Sequence, residues 1–225
     1  MSRDHLGQFM VSSALGFGRG ILLLDDCEGT FNWTVSGTGG DDVHEFATAA
    51  AFMGLKGMRL KTRTTGAAAN DYVAAARAVG HGEGGLLVIR ARVASPDVSV
   101  VKNLVMQVTH CDGVNDYSAN INIRMSAGTV AYLDAAAAAV AMPDLAQTFT
   151  DGAWFTIELV LDVLTHEYLE CFCNGTRVDL AGAGVYDVGA STERGAIVSL
   201  SVIAVGAAPA EMYADNIYVG EYLDL

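Results

Sequence analysis

The sequence predicts an all-β fold, two antiparallel sheets stacked as a sandwich behind an N-terminal extended arm, on three observations. Strict alternation runs through 154–163. Phe155, Ile157, Leu159, Leu161 and Val163 fall on one face, and Thr156, Glu158 and Asp162 on the other, the period of a half-buried strand. Asn174-Gly175 then gives a strong hairpin signal, because both residues tolerate positive φ. Strand-like segments, roughly a dozen in all, recur at intervals of about ten residues, and no long amphipathic helix interrupts them.

Composition agrees with a single packed domain. Of the 225 residues 52% are hydrophobic and 17% charged, which supplies a core and argues against disorder. Twenty-five glycines and three prolines suit many short strands joined by tight turns. A formal charge of −13 argues against nucleic acid as a partner. No run of eighteen apolar residues is present, so no membrane span is expected, and the first twenty residues lack the sustained apolar stretch of a signal peptide. The cysteines are Cys27, Cys111, Cys171 and Cys173. The last two stand two apart on one strand, too strained to bridge, and no disulfide framework or zinc spacing emerges. Buried free thiols and assembly in a reducing cytoplasm are expected.

Taken in order, residues 1–20 form the arm. Its apolar residues Leu6, Phe9, Met10, Leu15 and Phe17 follow no period, and such a segment needs a surface to lie on, on a neighbouring subunit or on its own domain. The sandwich domain is 21–225. Ile21–Leu24 reads as a strand closed by Asp25-Asp26, with Trp33 as a core anchor, and residues 57–65 alternate. Residues 70–79 read as a strand in preference to an alanine-rich helix. Leu86–Val93 puts Leu87, Ile89, Ala91 and Val93 inward and Arg90 and Arg92 outward. Strands follow at 104–109, 119–125 and 130–133. The alanine run 134–142 with Pro143 reads as a loop or short helix crossing between sheets. The central meander 154–180, then 197–205 and 212–222, complete the set.

Three segments resemble the jelly-roll sandwiches of the concanavalin A-like lectin and laminin G superfamily, and equally the jelly-roll carbohydrate-binding modules. They are the opening DDCEGTFNW, with Cys27 where Phe is usual, the pair WFTIELVLD and YLECFCNGTRV, and the closing YADNIYVG; together they span about 200 of the 225 residues. The resemblance implies a jelly roll whose last strand returns beside the first. It also implies a structural Ca²⁺ held by Glu28 and Asp215, with Asp26 and backbone carbonyls, since hard oxygen donors suit that ion. Trp33 and Trp154 occupy positions that are core in this fold. The fold alone does not settle function.

Catalytic patterns are missing. Glu158 and Asp162 stand about 13 Å apart along one strand face at about 3.3 Å per residue, too far for a glycosidase pair. His166 opens HEYLE without the second histidine of a zinc-protease motif, so no enzyme is expected. For sugar binding the candidates are Tyr117, Asn120, Asn122 and Tyr132, with Tyr168 and Tyr186 as further exposed-ring candidates. Arg59, Lys61 and Arg63 share one strand face and Arg90 and Arg92 another; adjacent strands would make a basic patch, and otherwise they form a solvated face balanced by acids.

Two readings from different classes follow. The first is a structural or adhesion protein of a phage virion, a capsid decoration or tail component that self-associates as a trimer or higher and binds a capsid or tail protein through its arm. Assembly in the host cytoplasm would place it in the virion. The second is a lectin-like carbohydrate-binding module, with a glycan as partner and an extracellular location.

Overall fold

The computed structural model describes residues 19–80, 85–192 and 194–222. The five apolar arm residues therefore lie outside the described residues.

In chain order the strands are β1 (Arg19–Asp25), β2 (Thr34–Gly37), β3 (Val43–Ala47), β4 (Gly57–Lys61), β5 (Tyr72–Val79), β6 (Leu86–Ala94), β7 (Val101–Asp112) and β8 (Asn115–Arg124). There follow β9 (Thr129–Leu133), β10 (Ala139–Ala141), β11 (Phe155–Asp162), β12 (Glu167–Cys173), β13 (Thr176–Gly184), β14 (Tyr186–Ala190), β15 (Arg194–Ala204) and β16 (Glu211–Tyr222). They form two antiparallel sheets. The first runs β13-β12-β11-β6-β16-β4-β3, with β1 pairing on β16; the second runs β10-β9-β8-β7-β15-β5-β2, with β14 pairing on β8. The closing strand does return beside the first, with Asp25 opposite Ile217.

Alternation explains the layering. The inward residues of β11 and β6, among them Ile157, Leu159, Ile89 and Ala91, meet Met106, Val108, Ile121, Val198 and Leu200 of the second sheet, all fully or almost fully buried. Each large aliphatic side chain there contributes roughly 1.5–3 kcal/mol. Trp33 anchors the opening as expected: its indole N–H donates to Asp25 Oδ2 at 2.8 Å, and the other carboxylate oxygen accepts from Cys27 N at 2.8 Å. All four cysteines are buried and none is in a disulfide. Burial raises the Cys27 and Cys171 thiols and pushes Cys173 up to about 11.

One side chain joins the sheets at a fork. The second half of β8 pairs with β9, up to Ile121 opposite Tyr132, whereas its first half pairs with β14, from Ser118 opposite Tyr186. At the fork, the fully buried Tyr168 of β12 reaches across the core. Its hydroxyl accepts from Asn120 N and donates to Leu133 O, both at 2.8 Å. Two backbone groups that the divided ladder would strand are thereby satisfied.

Beyond Tyr168, which is buried and not an exposed ring, the fold departs from the sequence reading in four places. Residues 134–145 do not cross between sheets: Asp134 Oδ1 accepts from Ala136 N and Ala138 N, Ala137 takes φ 58°, and β10 turns back onto β9. A helix that Pro143 limits to two turns cannot repay its nucleation, so the hairpin wins. Short β2, β3 and β14 at the margins carry too few buried residues to show a period. Trp154 is half-buried, not core. Finally, β4 and β6 lie on opposite sides of β16, with Arg59 opposite Tyr213 and Arg90 opposite Tyr218, so Arg59 and Arg90 make no shared basic patch. Arg59 pairs with Glu45 and Glu211, and Arg90 with Glu158.

Candidate functional site

The outer face of the second sheet is built from β7, β8 and β15 at its centre. Register places Gln107 opposite Asn120, Val105 opposite Asn122 and Thr109 opposite Ser118. On the other flank Ser199 stands opposite Gln107 and Ser201 opposite Val105. Directly paired residues point to the same side, so these side chains form one field, back to back with the core-facing Met106, Val108 and Ile121. Gln107 Nε2 donates to Ser118 Oγ at 2.9 Å, and Asn120 Nδ2 donates to the same oxygen at 3.0 Å.

This field is recessed. Although they point away from the core, Ser118 and Asn120 are only 2% and 8% exposed. Small neighbours keep the floor low: Ala74, Ala76 and Ala78 of β5 lie beside Ser201, Ser199 and Ile197, and Ala131 of β9 lies beside Asn122. Two aromatic residues stand at opposite corners. Tyr72, opposite Ile203, is 38% exposed, and Tyr186 lies opposite Ser118. They are four strand spacings apart across the sheet, about 19 Å at ~4.8 Å each, and six residues apart along it, about 20 Å at ~3.3 Å each. Asn103 Oδ1 and Asp116 Oδ1, on the same outer face, are buried without a hydrogen-bond partner. The centre carries amides and hydroxyls and no charge, an arrangement suited to neutral hydroxyl-rich ligands and without the paired carboxylates of sugar hydrolysis.

Of the four sugar-site candidates, the structure brings Asn120 and Asn122 together on this floor. Tyr117 and Tyr132 point the other way, between the sheets. Tyr117 stacks on His166 with ring centroids 3.5 Å apart, and Tyr132 lies 5.1 Å from the Tyr168 ring. The parity of Tyr117 against Asn120 already separates their faces, because strand side chains alternate. Gln107, Ser199 and Ser201 were missed, since only strand register, which the sequence does not spell out, brings them to Asn120.

Glu28 and Asp215 meet at the seam of the opening and closing segments. Asp215 Oδ2 accepts from the amides of Phe52 and Met53, both at 2.9 Å, and its Oδ1 accepts from Asn216 N at 2.7 Å. Glu28 Oε1 accepts from Leu55 N at 2.5 Å and Lys56 N at 3.1 Å. Gly54, at φ 84°, makes this approach feasible, because a Cβ there would lie 2.1 Å from Oε1. Burial, with the nearby Glu28 charge adding to it, raises the Asp215 carboxyl despite its three amide donors. Asp26 instead accepts from Glu28 N at 3.3 Å within its own turn.

Calcium wants six to eight oxygens. Here the carboxylates face backbone N–H dipoles, which carry positive charge themselves. Among the described residues no three His, Cys, Asp or Glu side chains gather to hold a metal. In this arrangement the donors do not fit the ion, because the amides of Phe52, Met53, Leu55 and Lys56 already engage oxygens of both carboxylates.

No protein-family profile matches this sequence, and no curated protein matches it. Solved structures do. The chain is similar to a cellulose-induced protein, Cip1 (TM-score 0.55, 14% identity, 88% of this chain and 96% of that one). It is similar to an endo-β-1,4-glucuronan lyase from the fungus Trichoderma reesei (TM-score 0.59, 12% identity, 86% and 92%). A carbohydrate esterase from the Shiga toxin-encoding bacteriophage phi24B is also similar (TM-score 0.58, 17% identity, 91% and 100%). At such identities the likeness is one of fold, and the fold is the two-sheet jelly-roll β-sandwich.

Proposed function

We propose that this chain is a carbohydrate-binding jelly-roll protein that holds a neutral glycan along the outer face of its second sheet, without cleaving it. The observation that carries the reading is the recessed, uncharged field of Gln107, Ser118, Asn120, Asn122, Ser199 and Ser201 between Tyr72 and Tyr186. Amide and hydroxyl groups already bonded to one another form a preorganised surface for sugar hydroxyls, and tyrosines at the margins offer rings to stack on pyranose faces. The similar solved structures named for cellulose induction, glucuronan cleavage and carbohydrate ester cleavage support a saccharide as the ligand class.

Affinity electrophoresis through neutral polysaccharides tests this. The protein should be retarded by at least one of them, and a combined Asn120→Ala, Asn122→Ala, Gln107→Ala variant should lose about tenfold or more in affinity, since each lost hydrogen bond is worth about 0.5–1.5 kcal/mol. Folded protein that no neutral glycan retards would overturn the reading.

A second reading, a non-enzymatic component that self-associates on a virion surface, draws on β1. Ile21 and Leu24 are 57% and 40% exposed on the strand that continues from the apolar arm. Light scattering of the full chain against one starting at Arg19 tests it: a trimer or larger that falls to monomer supports it, and two monomers of equal mass contradict it.

A further inference from the structure

The outer face of the first sheet holds a cation that its neighbours do not neutralise. Arg59, Arg63, Arg77, Arg90 and Arg177 each contact a carboxylate. Arg124 and Arg194 project into solvent. Arg92 of β6 is half-buried, yet no carboxylate is paired with it among the described residues. Asp215 lies directly across the ladder from Arg92, but its carboxylate is turned onto the amides of Phe52 and Met53. What Arg92 meets instead is a ring. Its guanidinium carbon sits 4.1 Å from the centroid of Phe52.

That ring belongs to a platform. Phe52 packs edge-on against Trp154 at 5.4 Å, and Phe52 is itself 37% exposed. Thr156 stands directly opposite Arg92 on β11, two residues after Trp154 and on the same side. Because Asp215 clamps the Phe52 and Met53 amides, the ring is fixed over the guanidinium without spending the arginine's charge. A partly desolvated guanidinium lacking an anion is an uncompensated charge, and a planar carboxylate is the group its fork of N–H donors matches best.

We propose that Arg92, Phe52, Trp154 and Thr156 form a second binding site, for an acidic sugar residue. The sugar's carboxylate lies against the guanidinium of Arg92, its hydroxyls reach Thr156, and its ring rests beside the Phe52–Trp154 pair. The site is on the sheet opposite the neutral field and does not depend on it. In a chain of charge −13, the attraction is local, partly buried and well within a Debye length, so salt should weaken it only modestly.

Calorimetry of the full chain with a galacturonate tetramer and with its neutral galactose counterpart tests the proposal. Binding that depends on Arg92 should be seen with the acidic tetramer and be at least about tenfold weaker with the neutral one, whose binding at the Asn120–Asn122 field does not respond to Arg92. Arg92→Met should reduce galacturonate affinity about tenfold or more, and Arg92→Lys should fail to restore it, because lysine lacks the bidentate fork. Phe52→Leu provides a second variant should Arg92→Met not fold; it should weaken the same ligand. Asn120→Ala with Asn122→Ala should leave galacturonate binding unchanged, so loss of the neutral-glycan reading and loss of this one are separable. A neutral tetramer that loses as much affinity as the acidic one in Arg92→Met, or wild-type galacturonate affinity in folded Arg92→Met, overturns the proposal.

Discussion

Tyr168 joins two backbone groups that the divided β8 would otherwise leave unpaired, and it does so from the opposite sheet. Tyr168→Phe keeps the ring and deletes that junction. The variant should lose about 2–4 kcal/mol, the cost of a buried N–H and C=O without partners, and melt roughly 4–16 °C lower for a chain of this size. A melting point within a degree of wild type would show that water or a ladder shift replaces the hydroxyl. At this scale the sequence is only half informative. That Asn120 and Asn122 share a face, and that Tyr117 does not share it, follows from counting in twos. That a tyrosine 48 residues away fills the gap beside Asn120 depends on how the sheets stack, which no local pattern encodes.

At the scale of elements, long strands were legible and short ones were not. β6 and β11 carry eight or more residues of alternation, enough to fix both the strand and its buried face. β2, β10 and β14 have three to five residues at sheet margins, where alternation has little room and hairpin closure decides. The 52–56 loop carries no signal in the sequence, because what it supplies is its amides, which have no side-chain signature. Those amides lead to a prediction about metal. Because Glu28 and Asp215 are already bonded to N–H groups, the melting temperature should be the same in chelator and in millimolar calcium. A specific site at a hundredfold excess over its Kd would instead add about 2.7 kcal/mol, and a rise of that size would mean the loop reopens to admit the ion. Acid should act elsewhere. Burial alone would raise the Glu211 carboxyl, but the Arg59 hydrogen bond, with the Arg59 and Lys61 charges, holds it below the ordinary glutamate range. Its contribution is therefore present above that range and is lost as the pH falls through the depressed value. Glu211→Gln should flatten the acid limb of the stability profile.

For the whole molecule, the two outer faces differ in kind. The first sheet carries ion pairs, Arg90 with Glu158 and Arg177 with Glu170, around the one half-buried guanidinium without a carboxylate among the described residues. The second carries a field of amides and hydroxyls with little charge. Fold class could be read from alternation and turns, whereas this division of labour could not, because it emerges only when register aligns β7, β8 and β15. The measurement that bears most directly on the account is a backbone-amide NMR titration with a neutral oligosaccharide that retards the protein. The shifted amides should cluster on 103–111, 116–124 and 197–203, with Tyr72 and Tyr186 at the margins. Shifts confined to the first sheet or to the loops, with those segments unmoved, would contradict it.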